Sequence, residues 1–89
     1  MKEFDEKNES KKVPKKLQHN LSKNEIISKA FLLHSQGNIP EAVKYYQYFL
    51  TQGFKDHRVL TNYGVILKDL GKFKDAELSF RKAIEIKPD

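Results

Sequence analysis

The chain has no cysteine and no tryptophan in its 89 residues. Without cysteine there is no disulfide to staple a small fold and no thiolate to act as zinc ligand or nucleophile. The lack fits a reducing compartment, and a cytoplasmic location is the expectation. Apolar runs are short, Ala30-Phe31-Leu32-Leu33 being an example, whereas a bilayer-spanning helix requires ~20 apolar residues. Met1-Lys2-Glu3-Phe4-Asp5-Glu6 carries acids and no apolar stretch, which argues against a secretory signal. The glycines stand singly, so the chain has no phosphate-cradling loop. Hydrophobic residues make up only 38%, enough for one small domain and not for a large independent core.

There is also no long block of one charge. The net charge of +5 is spread along the chain. Lys11-Lys12-Val13-Pro14-Lys15-Lys16 is the one basic cluster, and it falls in a leader of low apolar content. Residues 1–20 show neither helical nor strand periodicity, and Pro14 interrupts their middle. Such a segment buries too little apolar surface to offset its ordering entropy. Residues 1–22 are therefore predicted to be a disordered basic tail. Nucleic-acid binding through that tail is the weaker alternative function, and its affinity would fall steeply with salt.

What the chain does have is a period. Leu33 and Leu67, Gly37 and Gly71, Ala42 and Ala76, and Tyr46 and Phe80 are each separated by 34 residues. Apolar residues match around them: Ile26 with Leu60, Ile39 with Phe73, Leu50 with Ile84. A fixed period of this length marks a stacked helical repeat. The second unit reads Leu60-x2-Tyr63-Gly64-x2-Leu67, Gly71, Ala76-x3-Phe80, Ala83 and Pro88. In that order it resembles a tetratricopeptide repeat. The first unit (Ile26, Ala30, Leu33, Gly37, Ala42, Tyr46) is a degenerate copy. Lys29 stands at an apolar place, Phe49 at an alanine place, and Phe54 where proline is usual. The expected organisation is repeat 1 over 23–56 and repeat 2 over 57–89, an all-α domain spanning 23–89 behind the tail.

Local signals place four helices. Ser22-x-x-Glu25 has capping-box spacing, and Ile26, Ala30 and Leu33 follow on one helical face. Gly37 stops that helix, Asn38 is expected to cap the next, and Pro40 is tolerable in its first turn. Ala42, Tyr46, Phe49 and Leu50 form the second apolar face. The third helix is predicted at about 58–70, with Leu60, Tyr63, Gly64 and Leu67 inward. The fourth, at about 74–86, is predicted to bury Ala76, Phe80, Ala83 and Ile84. Gly64 within a helix costs ~1 kcal/mol relative to alanine, so close helix contact is expected there. Phe49 is expected to push its helix outward.

No catalytic, cofactor or metal constellation emerges. His19, His34 and His57 are isolated from other ligands, and no serine has nucleophile context. The expectation is a non-enzyme without cofactor. Tyr45 and Tyr48 are neighbours on one helix, left to pack with their hydroxyls in water or to face a partner.

The resemblance implies a non-catalytic module that binds a peptide segment of another protein in a concave groove lined by the first helix of each unit. Carried over by position, the groove takes Asn24, Ile27, Phe31, His34 and Ser35 from the first unit. The second contributes Arg58, Thr61, Asn62, Val65, Lys68 and Asp69. One subfamily grips a C-terminal carboxylate with a Lys and an Asn of its first repeat and an Asn of its second. This chain keeps Asn62 but has Ile27 and Phe31 at the other two places. That reading is disfavoured. A second hypothesis is that the chain is the leading arm of a longer glycosyl- or sulfotransferase, as occurs among proteins that it resembles. Repeat arrays end on a polar cap, and none follows Pro88-Asp89. The final helix is therefore expected to leave apolar surface uncovered, making the chain marginally stable or self-associating through helix 74–86.

Overall fold

A computed structural model of the protein describes residues 21–86. They form α1 (Lys23–Ser35), α2 (Ile39–Thr51), α3 (His57–Asp69) and α4 (Phe73–Ile86), with no strand among the described residues. The basic tail to Asn20, and the last residues, Pro88 included, lie outside them. Leu21 and Ser22, assigned by sequence to the tail, belong to the fold: Leu21 packs against the core and Ser22 caps α1. α1 pairs with α2 and α3 with α4, giving two hairpins. Both first helices and both second helices begin 34 residues apart.

The capping box at α1 is made. The Glu25 backbone N–H donates to the Ser22 hydroxyl at 3.1 Å, and the Ser22 N–H donates to the Glu25 carboxylate at 2.7 Å. At α3 the Asp56 carboxylate accepts from the N–H groups of Arg58 and Val59. Asn38 stands at the start of α2, but its side chain makes no capping bond. Its ψ of 71° departs from the extended backbone from which a cap side chain reaches the first-turn amides. Its own N–H is committed to the end of α1, donating to the Leu33 carbonyl at 2.9 Å.

That last bond is half of a helix-ending motif found in both hairpins. Gly37 and Gly71 adopt φ of 79° and 83°, the left-handed region open to glycine. The Gly37 N–H reaches the His34 carbonyl, and the Gly71 N–H that of Lys68. The next residues, Asn38 and Lys72, reach back to Leu33 and Leu67 at 2.9 and 2.8 Å. This pair of bonds closes a helix through a single left-handed residue.

The core is continuous from the first hairpin into α3. Ile26, Ile27, Ala30, Ala42, Tyr45, Tyr46 and Phe49 form one buried cluster with Val59 and Ile66 of α3. Leu60, Gly64 and Leu67 are buried too, and Ser79 of α4 donates to the Leu60 carbonyl at 2.7 Å. α3 therefore carries two apolar stripes one residue apart, one for each hairpin. Two of the three departures of the first unit from the repeat pattern offset one another, because the Phe49 ring is buried 5.3 Å from that of Phe54. On α4, Ala76, Ser79 and Ala83 are buried and Phe80 is half-buried. Ile84, expected inside, is 57% exposed. Its first-unit counterpart Leu50 has α3 and α4 beside it, whereas Ile84 has no following helix among the described residues.

Candidate functional site

Tyr46 organises the surface where the two hairpins meet. Its ring comes from α2 and is completely buried, with the rings of Phe31, His34 and Tyr63 at 6.3, 5.8 and 6.1 Å. Its hydroxyl lies 2.8 Å from His34 Nδ1 on α1. Burial pushes the Tyr46 phenol above its ordinary value, and the Asn62 side chain of α3 partly offsets this.

A second bridge lies beside the first. The Arg58 guanidinium of α3 sits 5.5 Å from the centroid of the Phe31 ring of α1. Two of its nitrogens donate side-on to Asp56, at 3.1 and 2.9 Å. This pairing raises the Arg58 value, and with the backbone amides it holds the Asp56 carboxyl below the usual carboxylate range against the cost of burial. The charge is thus oriented and largely matched, while the stacked guanidinium plane remains exposed. A third bridge runs from Gln47 Nε2, which donates to the Tyr63 hydroxyl at 3.0 Å.

Of the residues carried over by position, Phe31, His34, Arg58 and Asn62 are brought together around Tyr46. Thr61, Val65, Lys68 and Asp69 continue along the same helix as exposed side chains. Ser35 ends α1 with its hydroxyl donating to the Leu32 carbonyl. Two residues fall elsewhere. Ile27 is 5% exposed and belongs to the core, because Ile26, Ile27 and Ala30 make the buried stripe of α1 wider than a groove-facing residue allows. Asn24 lines a shallow depression at the front of α1 with Leu21, Glu25, Ser28, Lys29 and Leu32. Phe31 also packs against the core.

Both tyrosines pack on the fold, but the expectation of a hydroxyl in water fails at Tyr45. Tyr45 is fully buried with its hydroxyl unpartnered, and Tyr48 packs partly buried against the core. Sequence reasoning missed Val59 and Ile66, which join α3 to the first hairpin. Their signal was legible as a second i, i+4, i+7 series, Val59-Tyr63-Ile66, displaced by one from Leu60-Gly64-Leu67. A separate cavity of about 360 Å³ opens between α2 and α4, lined by Leu50, Phe54, Leu60, Lys82 and Ile86 among others.

Among the described residues no helix is long and apolar enough to cross a membrane, and no cluster of three His, Asp or Glu is placed to hold a metal ion. A family model described as tetratricopeptide repeat matches residues 57–89, the second unit of the 34-residue period. No curated protein and no solved structure matches the chain.

Proposed function

We propose that the chain binds an extended peptide segment of another protein across the α1/α3 face, because its second hairpin matches the tetratricopeptide repeat and such repeats are typically non-catalytic interaction modules. The observation that carries this reading is the polar and aromatic line joining the hairpins: Phe31 under Arg58, and His34 on the Tyr46 hydroxyl. These side chains are held by neighbours before any partner arrives, which lowers the ordering cost of binding. The face is rich in donors: the exposed guanidinium plane of Arg58, the Thr61 hydroxyl and Lys68. It therefore suits backbone carbonyls and carboxylates, with Phe31 and Val65 offering apolar contact.

Peptides selected from a displayed random library on the immobilised chain test the reading. Thr61→Arg with Lys68→Glu alters two exposed side chains outside the core. The pair should weaken the selected peptides at least about tenfold with the circular dichroism unchanged. Amide shifts on peptide addition should map to α1 and α3. Undiminished binding by the double variant, or shifts confined to α4, would overturn the proposal.

A further inference from the structure

α4 presents an apolar flank of defined shape. Phe73, Phe80 and Ile84 lie at i, i+7 and i+11 on one side of the helix, and Phe73 and Ile84 are 67% and 57% exposed. The matching residues of α2 are Ile39, Tyr46 and Leu50, which are buried or half-buried where α3 covers them. The α4 flank therefore has the form of a surface made to be covered, and the first hairpin shows what such a surface accepts: a helix laid along it.

A second copy could in principle cover it in two ways. Head-to-tail stacking would place α1 of the next copy where α3 sits on α2. Yet α1 carries Glu25, Ser28 and Lys29 at the places where α3 has Val59, Asn62 and Tyr63, and all three are exposed. Burying those charges without partners is costly, so the front of the molecule refuses that arrangement. Two-fold pairing of α4 with itself has no such obstacle, and self-complementary contacts of this kind are the commonest in homo-oligomers.

The α4 sequence fits an antiparallel pair. Glu77 and Arg81 lie beside the apolar flank as an exposed pair at 2.8 Å. When the helix is reversed against its own copy, one register sets Glu77 opposite Arg81 of the second copy. To within one residue, the same register sets Phe73 opposite Ile84 of the second copy and brings both Phe80 rings to the middle. We propose that the chain forms a two-fold dimer through α4, with Phe73, Phe80 and Ile84 at its centre and Glu77–Arg81 exchanged across it. A single helix flank buries less than the ~1,000 Å² of a stable interface, so the dimer is weak and concentration-dependent.

Sedimentation equilibrium of the 89-residue chain up to about 1 mM, the Kd regime of a weak contact, reads the association. E77R leaves two arginines on the flank and R81E two glutamates. Each alone should associate at least about tenfold more weakly than wild type, and their equimolar mixture should recover the dimer because each Arg meets a Glu of the other chain. I84S should weaken association with the helical circular dichroism retained. A wild-type chain that stays monomeric, a mixture no better than its components, or an I84S variant that dimerises normally would each overturn the proposal. Peptide binding on the α1/α3 face is read separately, so either conclusion can fail alone.

Discussion

Position for position, Tyr46 and Phe80 hold the same place in the two hairpins, yet Tyr46 has no exposed surface while Phe80 is only half covered. The same contrast runs along both second helices: Ile39 and Leu50 are half-buried, and Phe73 and Ile84 are largely exposed. Backbone register alone does not decide burial in a stacked repeat; the neighbour does. The front of the first hairpin makes the converse point. Glu25 and Lys29 replace the Val59 and Tyr63 of the second, so the outer side of α1 is polar where that of α3 is apolar. The first hairpin is built to begin a stack, and the second is built like a member of one.

The largest expected effect tests that contrast directly. Tyr46→Ala removes a buried aromatic and should cost about 3–5 kcal/mol, comparable to the whole stability of so small a domain. Phe80→Ala, at the same place with half the burial, should cost roughly half as much. Urea titrations of the two variants, followed by helical circular dichroism, give the comparison. Equal losses would mean that the open flank of α4 is covered in solution and that the hairpins differ less than their exposures indicate.

The next largest concerns how the hairpins begin. Asp56 caps α3 in the middle of the fold, and Ser22 caps α1 at its front. Removing an N-cap costs about 0.5–2 kcal/mol, and Asp56→Ala should fall at the upper end, above Ser22→Ala, because Asp56 also anchors Arg58. The carboxyl of Asp56 is held below its ordinary value of 3.8, chiefly by the Arg58 side chain. The unfolded chain then takes up the proton at higher pH than the folded one. Its stabilisation is complete above that ordinary value and is lost as pH falls through the lower, folded value. The difference in melting temperature between wild type and Asp56→Asn should therefore be constant near neutrality and shrink below about pH 4. A gap that persists unchanged at pH 2 would remove the carboxylate from the account.

Much of this was legible in the sequence, for reasons that can be named residue by residue. Gly37 and Gly71 announce two helix ends because few other residues accept their backbone, and Ser22 with Glu25 announces a start because both halves of the box are local. Partner-dependent burial was less legible. Ile84 and Leu50 match in pattern, but among the described residues only Leu50 has a following helix. Tyr45 was read as peripheral because a helical wheel does not tell how far a neighbouring hairpin wraps around it. Asn38 has a capping side chain, but the tight turn after Gly37 sets its backbone out of capping geometry. The structure brings Phe31, His34, Arg58 and Asn62 together on the α1/α3 face, and the Tyr46 hydroxyl that bonds His34 gave no sequence signal.

Tyr45 and Ser79 offer a smaller and sharper test. They share a register, but Ser79 donates to the Leu60 carbonyl at 2.7 Å, while the Tyr45 hydroxyl is buried without a partner. A buried unpaired hydroxyl costs about 1–3 kcal/mol, and removing it without changing shape relieves that cost. Tyr45→Phe should raise stability by about 1 kcal/mol, whereas Ser79→Ala should lower it by a similar amount. A Tyr45→Phe variant less stable than wild type would show that the hydroxyl has a partner, such as a buried water, and would bring the two hairpins back into line.

The smallest effect is expected where the helices of the second hairpin cross most closely. Gly64 faces Phe80, and a Cβ added there would lie 2.7 Å from Cε1 and 2.9 Å from Cδ1 of the ring. The first hairpin has Ala30 at this place, opposite Tyr46. Gly64→Ala should gain ~1 kcal/mol of helix propensity and lose somewhat more than that in moving the Phe80 ring, which the open flank of α4 leaves room to do. The net change should stay within about 1 kcal/mol, on the losing side. In the background of Phe80→Ala the ring is gone, so the same substitution should show its full propensity gain. The difference between the two backgrounds measures the contact. A gain of ~1 kcal/mol with Phe80 in place would mean that the ring does not rest on Gly64. No gain in the Phe80→Ala background would mean that glycine is required there by the helix crossing itself, with the Phe80 ring playing no part.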